Sequence, residues 1–299
     1  MKYLLATLFL LMAMPAQAQT KLNVFACESE WGELAKEIGG DAVDVHTATT
    51  AVQNVHFLRA KPSLLAAMRK ADLVFCNGAS LESGWLPILL QKAGKRQVQP
   101  GKPGFFLATD QVKKLEVPVR VDRSMGDVHP EGNPHILLDP RNILAVAEAL
   151  TARLVILDPQ NAEVYRQNLS AFRLRWQASM EAWERQAADL KGMKVVVYHT
   201  SWAYLLEWLG IEAVAALEPK PGIPPTASHL ESVLASVRAR EVNAILIAPF
   251  ENPKAAEWLS EKADIPVIYL PYSVGGSDKA NDLEHLFSET IRLLRDVSS

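Results

Sequence analysis

The chain has 299 residues and a formal net charge of −3. That length suits two domains with sizeable cores rather than one. Mild acidity with no basic stripe or arm argues against nucleic acid as a partner, and two cysteines are too few for a disulfide scaffold.

The N-terminus reads as an export signal. Met1-Lys2 is a short positive start, Tyr3 to Met14 is an unbroken run of apolar and small residues, and Ala16-Gln17-Ala18 is a small-x-small cleavage site. The run is shorter than the ~20 apolar residues needed to span a bilayer. Residues 1–18 are therefore expected to be removed, leaving a soluble, periplasmic, monomeric protein that begins at Gln19. No cysteine stands at the cleavage point, and Cys27 lies beyond polar Gln19-Thr20-Lys21, so no lipid anchor is expected.

Beyond the leader, short β runs alternate with helical patterns, as in parallel sheets covered by helices. Leu22 to Ala26, Val43 to Thr47 and Leu73 to Cys76 read as strands, Glu30 to Ile38 and Pro62 to Lys70 as helices, with a fourth strand after Gly104. Cys27 and Cys76 each end a strand. A disulfide between them and two small apolar residues capping buried strands are equal readings; a redox role is the weakest, because there is no Cys-x-x-Cys pair. In the second half, Lys194 to Tyr198, Ala244 to Ala248 and Val267 to Leu270 read as strands buried on both faces. Helices are expected over Leu230 to Arg240 and Pro253 to Ala263, the latter started by Asn252-Pro253.

Between the halves, Asp139-Pro140 and Asp158-Pro159 each read as a helix start, and after the second no Gly or Pro occurs until Gly192. Tyr165, Leu169, Phe172, Trp176, Trp183 and Leu190 fall on one helical stripe, which is more simply a packed face than a cofactor platform. At 1.5 Å per residue, Gln160 to Leu190 would make a rod of ~45 Å. The expected organisation is an α/β chain of two lobes, 19–158 and 192–299, each a parallel sheet covered by helices, joined by one long helix within 159–191.

Three histidines and an aspartate in separate loops, His56, His135, His199 and Asp278, suit a four-coordinate Zn²⁺ held in the cleft between the lobes. His199 directly follows a strand, where ligands of open α/β sheets bind, and Asp278 follows the flexible Gly275-Gly276 pair. His46, His229 and His285 read as packing or hydrogen-bonding residues. Asp282 is the rival fourth ligand. Glu218 and Glu251, in loops, are solvated by default, with orientation of a ligating imidazole as the sharper alternative.

Asn133-Pro134-His135-Ile136-Leu137-Leu138-Asp139-Pro140, Ala71 to Gly78, and Val197-Tyr198-His199 with Trp202 and Tyr204 resemble the metal-binding solute receptors of ABC-type zinc and manganese importers. The resemblance spans essentially the whole mature chain. It implies two α/β lobes on one long helix, delivery of the metal to a membrane permease with or without a periplasmic metallochaperone, no enzymatic activity, and ligands at His56, His135, His199 and Asp278. Histidine at the third position resembles the zinc receptors, where manganese receptors tend to have a carboxylate. Two departures stand out. Asn54-Val55 replaces the family's Asp-Pro before the first ligand, and the His-rich insert common in zinc receptors is reduced to Arg120 to Asn133. There, His129 reads as a solvated loop residue, or alternatively as an accessory capture ligand.

Two other classes remain open. A secreted zinc hydrolase would need three protein ligands, a water and a general base, and no His-Glu-x-x-His or Gly-x-Ser-x-Gly is present. An iron-chelate or haem receptor would want a wide cleft lined by Arg or aromatics; Trp31, Trp85 and Trp202 are the candidates, but that reading leaves the His/Asp set unexplained.

Overall fold

The computed structural model describes residues 20–297, so the expected leader and cleavage site lie outside the described residues. The first lobe contains β1 (Leu22–Ala26), α1 (Ser29–Gly39), β2 (Val43–Thr47), α2 (Pro62–Lys70), β3 (Leu73–Cys76), α3 (Leu86–Ala93) and β4 (Phe105–Leu107). α4 (Pro140–Leu157) and α5 (Ala162–Gln186) follow. The second lobe contains β5 (Lys194–Val197), α6 (Ala203–Leu209), β6 (Glu212–Ala216), α7 (Ala227–Arg240), β7 (Ala244–Ile247), α8 (Lys254–Ala263), β8 (Val267–Tyr269) and α9 (Leu283–Asp296).

Both sheets are wholly parallel, with strand orders β2-β1-β3-β4 and β6-β5-β7-β8. Every residue of central strands β3 and β7 is buried, as required where helices cover both faces of a parallel sheet. In each sheet the chain leaves the first strand to one side and returns on the other. The resulting switch points, between β1 and β3 and between β5 and β7, are where open α/β sheets bind ligands beyond the strand carboxyl ends.

The long helix is shorter than its sequence pattern suggests. α5 has 25 residues, about 37 Å, and single 3₁₀ turns at Pro159–Asn161 and Ala188–Leu190 complete the stretch. Its stripe is a packed face: Tyr165, Phe172, Trp176, Trp183 and Leu190 are buried. Trp176 Nε1 donates to Pro140 O at 2.8 Å and Trp183 Nε1 to Ser288 Oγ at 3.0 Å. Arg175 pairs with Glu37 of the first lobe and Glu284 of α9. One buried apolar cluster runs from Val24 and Phe75 through Val146, Phe172 and Phe287 to Val195 and Leu246. The lobes therefore share a core, and separating them would expose it to water.

Candidate metal centre

The Asn133–Pro140 motif builds one wall of the cleft. Asn133 Oδ1 accepts the His135 N–H, Asn133 Nδ2 donates to Thr200 O across the lobes, and Tyr204 Oη donates to Asn133 O. Asp139 caps α4 by accepting the Arg141 N–H, with Pro140 at the first helical position. His135 is thus held between a cap and a cross-lobe bridge, 5% exposed. His56 sits in a 3₁₀ turn whose N–H donates to Asn54 Oδ1. His199 follows β5 in extended conformation and precedes another 3₁₀ turn.

These loops bring three imidazoles together. Donor atoms of His56, His135 and His199 lie within 4.8 Å of one another, and ring centroids are 5.3–5.9 Å apart. Each Nδ1 has an outer partner: Asp127 Oδ2 at 3.2 Å for His56, Tyr272 Oη at 2.6 Å for His135 and Glu218 Oε2 at 2.7 Å for His199. Nε2 of His56 and of His135 is buried with no hydrogen-bond partner. A carboxylate on Nδ1, as at His56 and His199, keeps the proton there and leaves the Nε2 lone pair free, the usual preparation of a ligating histidine. Burial, then the neighbouring imidazoles, hold His135 well below the ordinary histidine range.

A fourth imidazole joins them. His129 is 5.2 Å from the His56 ring and 6.4 Å from the His135 ring, its Nε2 is buried without a partner, and it forms a second potential donor group with His56 and Asp127. Burial lowers its pKa to about 4. The strap carrying it crosses the cleft: Asp127 N–H donates to Pro221 O at 2.8 Å and Lys220 Nζ to Ser124 O at 2.6 Å. Gly126 has a φ of +83°, and a Cβ there would stand 2.4 Å from Pro221 O, so glycine permits both the turn and the close approach. The solvated reading of His129 is thereby corrected.

The structure does not bring Asp278 to the cluster. Asp278 is exposed and belongs to none of the potential donor groups among the described residues. The hydrogen bonds Gly275 N–H to Ala280 O and Ala280 N–H to Ser277 O close the turn on itself, leaving Asp278 and Lys279 facing solvent. Its rival Asp282 caps α9 instead, accepting the His285 N–H. Glu218 does orient an imidazole, and Gly222 N–H holds its carboxylate in place. Glu251 lines the cleft, accepts the Ala248 N–H and is pushed by burial up to about 8. Cys27 and Cys76 are joined in a disulfide that ties the ends of β1 and β3. Trp31, Trp85 and Trp202 are fully buried and are not among the residues lining the histidine cavity, which removes the support for a haem or chelate platform there. The cavity holds about 310 Å³ and is lined from both lobes.

The family described as zinc-uptake complex component A, periplasmic (ZnuA), matches residues 24–297. The chain belongs to this family. Its members are extracytoplasmic substrate-binding receptors of ABC transporters, not enzymes, and this receptor is accordingly a metal-binding one. It is similar to the manganese ABC transporter substrate-binding lipoprotein PsaA of Streptococcus pneumoniae, 23% identical over 254 residues that cover 83% of this chain and 78% of the relative. The iron ABC transporter substrate-binding lipoprotein MtsA of Streptococcus pyogenes serotype M1 is likewise 23% identical over 252 residues, with the same coverage of each. In fold the receptor matches a crystal structure of ZnuA with a TM-score of 0.76 and 20% identity, covering 94% of this chain and all of the other. A manganese-bound periplasmic metal-binding protein from candidatus liberibacter asiaticus matches with a TM-score of 0.75 and 20% identity, covering 92% and 99%. Among the described residues no helix is long and apolar enough to cross a membrane.

Proposed function

We propose that the cargo is Zn²⁺, captured in the periplasm by a monomeric receptor and delivered to the membrane permease of an ABC importer. Nε2 of His56, His135 and His199 would bind the ion, with His129 and Asp127 on the strap acting as accessory capture ligands. The supporting observation is the all-imidazole cluster whose Nδ1 atoms already have outer partners. Neutral imidazole suits zinc, whereas manganese favours oxygen donors. The fourth ligand proposed in place of Asp278 is a water. The decisive experiment is metal content and competition titration of the untagged protein: one tight Zn²⁺ per chain that outcompetes Mn²⁺ is expected, and a Mn²⁺ preference would sink the zinc assignment.

Manganese or iron is the second reading, favoured by the names of PsaA and MtsA. The substitution His199→Glu discriminates: it should narrow the Zn²⁺ preference over Mn²⁺ by exchanging nitrogen for oxygen. An unchanged ratio in a folded variant would remove His199 from the metal. Loading by a metallochaperone is a further expectation, tested by transfer from a zinc-loaded partner faster than from a chelator of equal affinity.

A further inference from the structure

β1 and β3 end side by side at the first lobe's switch point, and three glutamates are buried there. Glu28, Glu30 and Glu82 are each 3% exposed. Glu82 lies in a nest of backbone donors, with Asn77 N–H at 2.7 Å and Gly78 N–H at 3.1 Å, an arrangement that favours a carboxylate and opposes the upward push of burial. Glu28 Oε2 accepts the same Asn77 N–H, while its Oε1 meets no donor. A proton on Glu28 resolves that mismatch, because the two carboxyls are hydrogen-bond partners and the acid can donate to the Glu82 carboxylate. Burial, then the charges of Glu82 and Glu30, push Glu28 up accordingly.

Glu30 is the third member and reaches across the lobes. It accepts the hydroxyl of Ser273, whose neighbour Tyr272 holds the His135 ring. Burial raises Glu30 to about 7, the Ser273 hydroxyl opposing. The groups facing it are Glu82, Glu28 and the Tyr272 phenol. Glu28 and Glu30 line the same cavity as the three histidines, and no lysine or arginine is among its lining residues. With no cation beside them, burial favours the protonated form of Glu28 and Glu30; a divalent ion in the shared cavity favours the ionised form.

We propose that Glu28, Glu30 and Glu82 form a proton-releasing floor: uptake of a divalent cation by the histidines drives a proton from the floor to bulk water, and the resulting Glu30 carboxylate tightens its bond to Ser273 across the lobes. The bond broken is the carboxyl O–H, and the charge gained on the floor offsets part of the charge brought by the ion. The ionised acceptor makes the stronger, charge-assisted hydrogen bond, so loading and lobe cohesion rise together. Asn77 carries the same network to the ligand loop, since its Nδ2 donates to Pro134 O at 2.7 Å. This inference rests on the receptor reading above.

The test is calorimetric titration with Zn²⁺ at pH 7 in buffers of different ionisation enthalpy, comparing wild type, Glu28→Gln and Glu30→Gln. All three keep the histidines, so a difference in protons released belongs to the floor. A group titrating near pH 7 is about half protonated there, and Glu30→Gln should release about half a proton fewer while still binding one Zn²⁺, several-fold more weakly. Zinc uptake with wild-type proton counts in both variants overturns the floor alone. Wild type that takes up no zinc overturns the receptor reading and the floor with it. Should Glu30→Gln fail to fold, infrared difference spectra of wild type decide: loss of the protonated-carboxyl carbonyl band on adding Zn²⁺ supports the floor, and an unchanged band overturns it.

Discussion

The two walls of the cleft are braced differently. The first lobe, which carries His56 and His135, has a disulfide between adjacent strand ends and buried carboxyls tied to backbone N–H groups. On the second lobe, His199 is steadied by Glu218, itself held by a loop N–H, and Tyr272 and Ser273 reach back from the segment after β8. The first wall is covalently fixed; the second consists of loops whose polar tips bond to the first. In the proposed site the first lobe would thus preset the metal position and the second complete it, and hydrogen bonds from the second lobe to His135 and Glu30 tie the two walls together.

The largest effect expected within this comparison is loss of a histidine. His135→Ala should weaken Zn²⁺ binding by more than about a hundredfold, beyond the loss of an outer partner, as read by chelator competition. Retention of tight binding would show that the cluster is not the site. Next is the covalent brace of the first wall. Joining residues 49 apart in sequence is worth about 4 kcal/mol, so Cys27→Ala/Cys76→Ala should melt about 7 °C lower; an unchanged melting temperature would mean the hydrogen-bonded floor holds the strands unaided.

Outer partners come third. Glu218→Gln and Tyr272→Phe should each weaken zinc binding about 10–100-fold with little change in melting temperature, and a larger loss for Tyr272→Phe would place more of the orientation between lobes than within one. The pH response follows. Glu30 and Glu251 have folded pKa values raised to about 7 and about 8, so their stabilisation is complete below the unfolded value near 4.5 and is lost as pH rises through the folded values. His129 is lowered to about 4, so its contribution is present above about 6.5 and lost as pH falls towards 4. Of these three groups only the two acids titrate between pH 6.5 and 8, and their contribution should lower the melting temperature of the metal-free protein over that range; Glu30→Gln and Glu251→Gln should flatten the trend, and an unaltered trend would contradict the buried acids. The His135 contribution to zinc binding should persist below the pH of about 6.5 at which an ordinary histidine protonates, because burial holds that imidazole neutral further down.

The smallest effects separate strap from turn. His129→Ala should slow zinc loading several-fold in stopped flow and change final affinity little, and Asp278→Ala should leave both unchanged. A large loss in Asp278→Ala would return that carboxylate to the metal and show that its turn moves on loading.

Residue pattern alone made the parallel strands legible, because strands buried on both faces are continuous apolar runs. It missed β6, whose small, exposed residues mark an edge strand, and it missed α3 and α6, short helices with no clear polar face for a periodicity to show. Helix starts at Pro140 and Pro159 were readable because proline suits only the first turn. The three histidines were legible as metal-binding residue types lying in loops.

What the sequence by itself determined is the class of chemistry, imidazole donors on two α/β lobes, since donor type and strand burial are local properties of residues. Only the tertiary structure decided which groups meet. It turned Asp278 outward through a closed turn, drew His129 inward on a strap latched to Pro221, and gave His56, His135 and His199 their Asp127, Tyr272 and Glu218 partners. It also buried Glu28, Glu30 and Glu82, which no motif of the sequence marks out. Those outcomes depend on loop closure and on desolvation between segments up to 243 residues apart, which no local pattern encodes.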